Sequence, residues 1–571
     1  MARLKFIGWL FISIFLFLGL GLAHLNIIQG KRYLDLSQRN CIRLLPQSGA
    51  RGMILDRNGE VIVGNKLTFN VMVLPQDKDQ TDKALGAVSR LLGTSIKELK
   101  DEYKKGYIVS SLPVTIARNV PMDKVIALEV LKFDLPNIII HPEPKRDYPY
   151  GRLAAHVMGY INEIDRWRLT KLKDFGYNTK DLVGFGGLEE KYDYYLRQEE
   201  GGLSFEIDHR GRFRRVLGFK PPVEGRDIQL TLDARVQKIA QDNLADRKGC
   251  VIIMDPYDGQ IIAMASSPDF SPAVFTDKAP DSISTLFRDT NAPLLNRAIS
   301  SSFPAGSIFK IVVATAALET KKITSHTSFY CPGSFFVGKK EFSCWEKHGQ
   351  QELAQAIAHS CNVFFYHIGL MVGPQAIHDY ALKFGFSRNT SFELPYETSG
   401  FIPSPLWRKI HKLQSWFDGD TANLSIGQGD VLITPVQAVR MIAVFANGGY
   451  LVNPYIVKAI DGRDIAPSQK RAVNLSLKKA TLNNIREGLR GVVTDARGTG
   501  NVLSGLSVSV AGKTGSAQAP PGQAHAWFTG FFPYEEPKFA ICVFLERGAA
   551  GYYSCVIARR IIEEMVNQGL L

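Results

Sequence analysis

The chain has 571 residues, 45% of them hydrophobic and 22% charged. That length implies more than one domain, and that balance builds folded cores and excludes a long disordered chain. The net charge of +13 suits anionic lipid or an acidic polymer as well as nucleic acid; no RNP strand or recognition helix occurs, so nucleic acid is set aside.

From Phe6 to Gly30 no residue carries a formal charge, taking His24 as neutral. At about 1.5 Å per residue this stretch crosses a hydrocarbon core of about 30 Å. Arg3 and Lys5 precede it and favour a cytoplasmic N-terminus; Lys31 and Arg32 follow it and leave the asymmetry small. A signal peptide cut near Gly21-Leu22-Ala23 is the competing reading. The apolar run continues past that point, so an uncleaved anchor over residues 1–30 is expected, with the remainder across the membrane.

Residues 31–227 are expected to form one domain. Asn58-Gly59 between apolar runs predicts a hairpin. Asp82 to Leu92 and Ile96 to Tyr103 are amphipathic and Lys-rich, between short strands. Lys220-Pro221-Pro222-Val223-Glu224-Gly225 reads as a linker or sharp turn.

A second domain is expected over 228–571. Val251 to Met254 and Ile261 to Met264 flank a turn at Asp258-Gly259 and predict a buried hairpin. Gly512 to Gln518, His525 to Phe532 and Phe539 to Leu545 read as three strands, with turns at Pro520-Pro521-Gly522 and Glu535-Glu536-Pro537. Val556 to Gln568 has helical spacing. Strands at both ends with helices between predict one α/β domain with a mainly antiparallel sheet.

Acyl transfer needs a nucleophile, a group to take its proton, and donors for the oxyanion. Ser307-Ile308-Phe309-Lys310 lies between Pro304-Ala305-Gly306 and the apolar run Ile311 to Ala314, as at a turn entering a buried helix. Lys310 then shares a face with Ser307. Ser360-Cys361-Asn362 falls in an expected helix from Leu353 to Gly369. Lys513-Thr514-Gly515-Ser516 opens a strand, where the Ser516 N–H can join that of Ser307 as an oxyanion pair. Each motif alone is weak: Ser307 is then as good a helix cap, Ser476 to Lys479 also fits S-x-x-K, and Ser387 to Asn389 also fits S-x-N. Order, spacing and the apolar setting of all three select Ser307, Lys310, Ser360, Asn362 and Lys513 as catalytic, with Thr514, Gly515 and Ser516 binding substrate.

Cys331, Cys344, His348 and Cys361 follow the spacing C-x12-C-x3-H-x12-C. Three thiolates and one imidazole are a closed tetrahedral zinc set, with a structural role before the Ser360 segment. The alternative is a Cys331–Cys344 disulfide with Cys361 a buried thiol. Cys41, Cys250, Cys542 and Cys555 read as packing or surface residues.

The three motifs together are similar to those of the class B penicillin-binding proteins. The resemblance extends to Arg51-Gly52 through Asn58-Gly59, to Gly184 through Tyr192 and to Asn296-Arg297-Ala298. His525-Ala526-Trp527-Phe528 resembles the elongation branch, penicillin-binding protein 2, more than the division branch. The resemblance implies a multidomain α/β chain: a transmembrane helix, an elongated α+β pedestal of the dimerisation type, and a β-lactamase-like transpeptidase domain of antiparallel sheet flanked by helices. It also implies a D,D-transpeptidase that cross-links peptidoglycan stem peptides through Ser307 and is acylated there by β-lactams. Lys310 would be the base, Ser360 a proton relay, Asn362 a holder of the substrate amide, and Lys513 a cation shared with the substrate carboxylate. No cofactor is needed for that chemistry; some relatives carry a metal beside the Ser-x-Asn motif. A RodA-type glycosyltransferase and the elongation machinery are the implied partners, and the inner membrane with a periplasmic catalytic domain is the implied location. The rivals are a division-type transpeptidase, a β-lactamase and a non-catalytic activator of the glycosyltransferase. Glu393, Glu397 and Glu487 are the only glutamates between Asn362 and Lys513, and none has the Asn four residues later that a class A deacylation site has.

Overall fold

The computed structural model describes residues 2–34, 42–75, 77–107, 113–207, 213–277, 280–465, 472–519 and 521–571. Cys41 and Pro520 lie outside the described residues. The chain forms two compact units: Met1–Arg51, Asn65–Lys145 and Gln198–Gly225 make the first, and Gly52–Gly64, Arg146–Arg197 and Arg226–Leu571 the second.

The first unit begins with helix α1 (Ala2–Ala23), continued by a π-helical turn His24–Ile28. Together they give a 25-residue apolar stretch, Leu4–Ile28, none of it buried and long enough to cross a membrane. The strands Ile42–Gln47, Gly201–Ile207 and Phe213–Lys220 pair antiparallel. The two amphipathic stretches form the helices Lys78–Leu92 and Ile96–Gly106, each started by a side-chain cap, Asp77 and Ser95. They bury Leu85, Val88 and Leu99 with Val71 and Ile116 of the neighbouring strands. The expected linker does not run free: Val223 exchanges backbone hydrogen bonds with Glu199.

The second unit takes in residues 52–64 and 146–197, which the sequence placed with the N-terminal domain. Three contacts within the unit explain this. Ile54 pairs in parallel with Ile228, and both are fully buried. Arg146 donates to the Gly52 carbonyl at 2.7 Å and forms an ion pair with Glu189 at 2.7 Å, with neither side chain exposed. Asp56 accepts from the Ala234 N–H at 3.2 Å, at the start of helix α2 (Ala234–Leu244), where a carboxylate meets unpaired N–H groups.

The centre of this unit is a five-stranded sheet. Its strands are β1 (Gly249–Met254), β2 (Ile261–Ser267), β3 (Ala511–Ala517), β4 (His525–Phe532) and β5 (Phe539–Leu545), in the order β2-β1-β5-β4-β3. All neighbours are antiparallel. Successive side chains alternate between faces. Cys250, Ile252, Trp527 and Phe544 enter one core with the helices α3 (Lys310–Glu319), α4 (Leu353–Ala358), α5 (Asn362–Val372), α6 (Pro435–Ala446) and α7 (Lys479–Thr494). Val251, Ile253, Phe528 and Val543 enter a second core with α2 and α8 (Gly551–Asn567). Burial on both faces is why these strands read as continuous apolar runs.

One expectation is corrected. The helix expected over Leu353 to Gly369 is two helices, α4 and α5. They are separated at Ser360, whose φ of +55° is left-handed and cannot continue a right-handed helix.

Candidate active site and cysteine cluster

Ser307 lies in a 3₁₀ turn, Gly306–Phe309, that runs directly into α3. No side chain caps either element, so Ser307 is not spent as a helix cap. The turn is held from two sides. The Gly306 N–H donates to the Gly427 carbonyl at 2.9 Å, and the Trp527 indole N–H donates to the Pro304 carbonyl at 3.0 Å. Gly306 has φ of +55°, and a Cβ there would sit 2.9 Å from the Ser516 carbonyl oxygen. Only glycine lets the Ser307 turn lie so close to β3. Ser307 is half-buried and Ser516 exposed, so both face accessible space.

Lys310 is wholly buried. Its ammonium donates to the Ser360 carbonyl at 2.7 Å, to Ser360 Oγ at 3.1 Å and to Asn362 Oδ1 at 2.7 Å. All three of its N–H groups are thereby used, and Ser307 Oγ is not among the partners. Two elements that the sequence separates by about 50 positions thus meet at one nitrogen, and the break between α4 and α5 turns both the carbonyl and the hydroxyl of Ser360 towards it. Burial pushes Lys310 down to about 8. Lys513 is also fully buried and donates to the Thr514 carbonyl at 3.1 Å. Burial first, and the Lys310 charge second, hold it well below the ordinary lysine value. Thr514 donates to Thr499 Oγ1 at 2.7 Å, and Ser516 Oγ accepts from the Gly551 N–H at 3.1 Å.

Cys331, Cys344, His348 and Cys361 also converge. One ligand atom from each lies within 4.8 Å of the others. His348 Nδ1 is 3.6 Å from Cys331 Sγ and 3.4 Å from Cys344 Sγ. A tetrahedral zinc with sulfur at about 2.3 Å and nitrogen at about 2.0 Å places S and N about 3.5 Å apart, so the donor set fits the ion. Cys331, Cys344 and Cys361 are all free thiols, so the Cys331–Cys344 disulfide is not formed. The Asn362 N–H at the start of α5 points at Cys344 Sγ, 3.2 Å away. A hydrogen bond from Cys361, helped by His348, holds the Cys344 thiol well below the usual range and raises Cys361. The cluster ties the hairpin Ser334–Val337/Lys340–Ser343 to the residue that holds Lys310: Asn362 Nδ2 also donates to the Ser343 carbonyl, at 3.1 Å.

The family model described as the penicillin-binding protein transpeptidase domain matches residues 249–567, more than half of the chain. The chain is a penicillin-binding protein. The model of the penicillin-binding protein dimerisation domain matches residues 46–230. The peptidoglycan D,D-transpeptidase MrdA of Haemophilus influenzae is 30% identical over 597 residues, spanning 99% of this chain and 91% of that protein. The structure of PBP2 in complex with MreC from Helicobacter pylori superposes with a TM-score of 0.82 at 28% identity, covering 93% of this chain and 99% of that one. A peptidoglycan synthase complex of polymerisation and crosslinking gives a TM-score of 0.75 at 28% identity, covering 98% and 97%.

In this penicillin-binding protein the duplicate motifs have other work. Ser476 is in a surface turn before α7, and Ser387 Oγ accepts from the Ile402 N–H at 2.7 Å. Glu393 accepts from the N–H groups of Ile456 and Val457, and Glu397 from that of Thr390. Those two carboxylates are committed to backbone, and Glu487 is exposed. Sequence reasoning missed the supports: Gly427, Thr499, Trp527 and the pair His359–Asp495, 3.2 Å apart beside Ser360. Of these, His359 adjoined the Ser360 motif and Trp527 lay in the His525–Phe528 segment, though neither showed its supporting contact.

Proposed function

We propose that this penicillin-binding protein is an elongation-type peptidoglycan D,D-transpeptidase that works through an acyl-enzyme on Ser307. The reading is carried by Lys310, a fully buried lysine lowered to about 8 and gripped by Ser360 and Asn362 beside the Ser307 turn. A lysine in that state keeps a free-base fraction near physiological pH and can act as a general base. When it loses a proton, its two remaining N–H groups stay on the acceptor-only oxygens, the Ser360 carbonyl and Asn362 Oδ1. Its lone pair is then free for a hydroxyl, that of Ser307 directly or that of Ser360 as relay.

Ser307 Oγ attacks the carbonyl of the penultimate D-Ala, and its proton passes to Lys310. The Ser307 and Ser516 N–H groups hold the oxyanion. The C–N bond breaks, Ser360 returns the proton to the departing D-Ala amine, and an ester remains on Ser307. An amine of a neighbouring stem peptide then attacks that ester and restores the hydroxyl. A β-lactam enters by the same first step. Thr514 and Ser516 bind the terminal carboxylate and Gly515 lets the strand pass close. Lys513 lies buried behind them rather than at the surface, and a substrate carboxylate beside it would favour its protonated form.

Cys331, Cys344, His348 and Cys361 would hold a structural zinc. Bound there, the ion supplies cross-linking of the hairpin to α5 and no chemistry of the reaction. Leu4–Ile28 would be the single membrane anchor, with residues 31–571 in the periplasm of the inner membrane. A RodA-type glycosyltransferase is the partner that the family resemblance implies, and an MreC-type scaffold is proposed by likeness to the Helicobacter pylori complex. By linear order the chain would divide near residue 228, with 52–64 and 146–197 packed into the second unit. The decisive test is cross-linking of nascent glycan by the full chain with its glycosyltransferase: Ser307→Ala should abolish cross-links and leave polymerisation intact. Cross-links at the wild-type level would overturn the proposal.

A further inference from the structure

His525 opens β4 and is 8% exposed. It shares a face of that strand with Trp527, two residues on. Both rings pack on Phe544 of β5, with centroids 5.5 Å away for His525 and 4.4 Å for Trp527. Both also hold the approach to Ser307: Trp527 donates to the Pro304 carbonyl, and His525 meets the Phe303 ring near edge-on at 5.4 Å.

The same imidazole grips the loop between β5 and α8. The Arg547 N–H donates to His525 Nδ1 at 3.1 Å. Nδ1 therefore presents a lone pair, and in the neutral ring the proton sits on Nε2. The loop is strained. Arg547 has φ of +53° and Ala549 of +67°, left-handed for residues that carry a Cβ. Such a backbone persists only where its surroundings hold it. One hold is His525; another is the Ala549 N–H, which donates to the Ala524 carbonyl at 2.9 Å. The loop then ends against the substrate strand. The Gly551 N–H donates to Ser516 Oγ at 3.1 Å, and a Cβ on Gly551 would sit 2.9 Å from the Gly515 carbonyl oxygen. With that bond accepted, the Ser516 hydroxyl has its proton to give to the substrate carboxylate.

We propose that His525 is a positioning residue for acylation: its unprotonated Nδ1 clamps residues 547–551 so that Ser516 is held for the substrate, and a proton on Nδ1 opens the clamp. The inference rests on the Ser307 acyl-enzyme reading. The surroundings of the ring keep the clamp closed at neutral pH. Burial, above all, lowers the ring below its ordinary value; Glu546 opposes this and Arg547 adds to it. Glu546 is itself engaged by Arg297 at 3.1 Å. Phe303, Phe544 and Ala517, which lies opposite His525 on β3, bring no charge. The clamp therefore opens only as the pH falls through a value below about 6.5.

Second-order rate constants for acylation by a fluorescent penicillin are measured from pH 4.5 to 8 on the full-length protein in detergent. His525→Leu keeps an apolar contact with Phe303 and removes the acceptor; at pH 7.5 it should acylate about tenfold more slowly or worse. His525→Asn puts an amide oxygen in place of Nδ1 and does not titrate; it should restore the rate to within about threefold of wild type. The ratio of wild type to His525→Asn cancels the Lys310 dependence. It should be level above pH 7 and fall about twofold or more by pH 4.5. Circular dichroism checks the fold of each variant, and if His525→Leu does not fold the ratio decides alone. A wild-type rate in folded His525→Leu, a His525→Asn no faster than His525→Leu, or a ratio level over the whole range would each overturn the proposal. Failure of the wild type to label at Ser307 would instead overturn the acyl-enzyme reading, and this inference with it.

Discussion

Lys310 offers a quantitative handle on the reaction. Burial moves it from an ordinary 10.5 to about 8, a difference of about 2.5 pH units, or about 3.4 kcal/mol against the charged form. Only the free base can take the Ser307 proton. At that value the free-base fraction is about 1% at pH 6, about 9% at pH 7, about 50% at pH 8 and about 90% at pH 9. Acylation by a fluorescent penicillin, followed by stopped flow, should therefore quicken about ninefold from pH 6 to 7 and about fivefold from 7 to 8, then level off. Lys310→Arg keeps a cation but cannot give it up. It should slow acylation by about 10²–10⁴-fold and remove the rising limb. The same group has a stability consequence of fixed sign. Between about 8 and 10.5 the unfolded chain binds the proton that the folded chain has lost, so this lysine's contribution to stability rises with pH across that window and is least favourable below it. A flat rate profile from pH 6 to 9, or a Lys310→Arg enzyme of wild-type rate, would refute Lys310 as the base.

Gly306→Ala places a Cβ 2.9 Å from the Ser516 carbonyl at a left-handed φ, so the Ser307 turn must shift from β3; acylation should fall by about 100-fold while the protein stays folded by circular dichroism. Arg146→Ala takes the guanidinium from a carboxylate that is fully buried with it, and urea unfolding should show a loss of about 3–5 kcal/mol; a loss under about 1 kcal/mol would contradict the buried pair. Metal analysis should find one zinc per chain, and Cys344→Ser or prolonged chelation should lower Tm by roughly 10 °C, the size expected for a few kcal/mol in a domain of this kind. A metal-free protein of unchanged Tm would end the zinc reading.

The chemistry was legible in the sequence because it is local. Ser307 and Lys310 are three positions apart, and the Ser360 and Lys513 motifs announce themselves by type and order. The buried hairpin at Asp258-Gly259 and the final strands were legible for a related reason: a strand covered on both faces is written as an unbroken apolar run. What lay hidden was long-range. Nothing near Gly427 says that its carbonyl will meet Gly306, nor near Trp527 that its indole will hold Pro304. The helical period across Leu353 to Gly369 is genuine, yet Ser360 breaks it, because satisfying the Lys310 ammonium with both a carbonyl and a hydroxyl outweighs the local preference. Residues 52–64 and 146–197 pack with the second unit for the same reason, while the dimerisation-domain match runs over 46–230. Arg146, Glu189 and Gly52 are distant in sequence, and only their burial together reveals which core they join.

The Ser307 acyl-enzyme can be read directly by mass spectrometry of the full-length protein treated with benzylpenicillin, digested and sequenced. One intact penicillin per chain is expected, bound as an ester to Ser307, and none in Ser307→Ala. An adduct on any other residue, or undiminished labelling of Ser307→Ala, would contradict it.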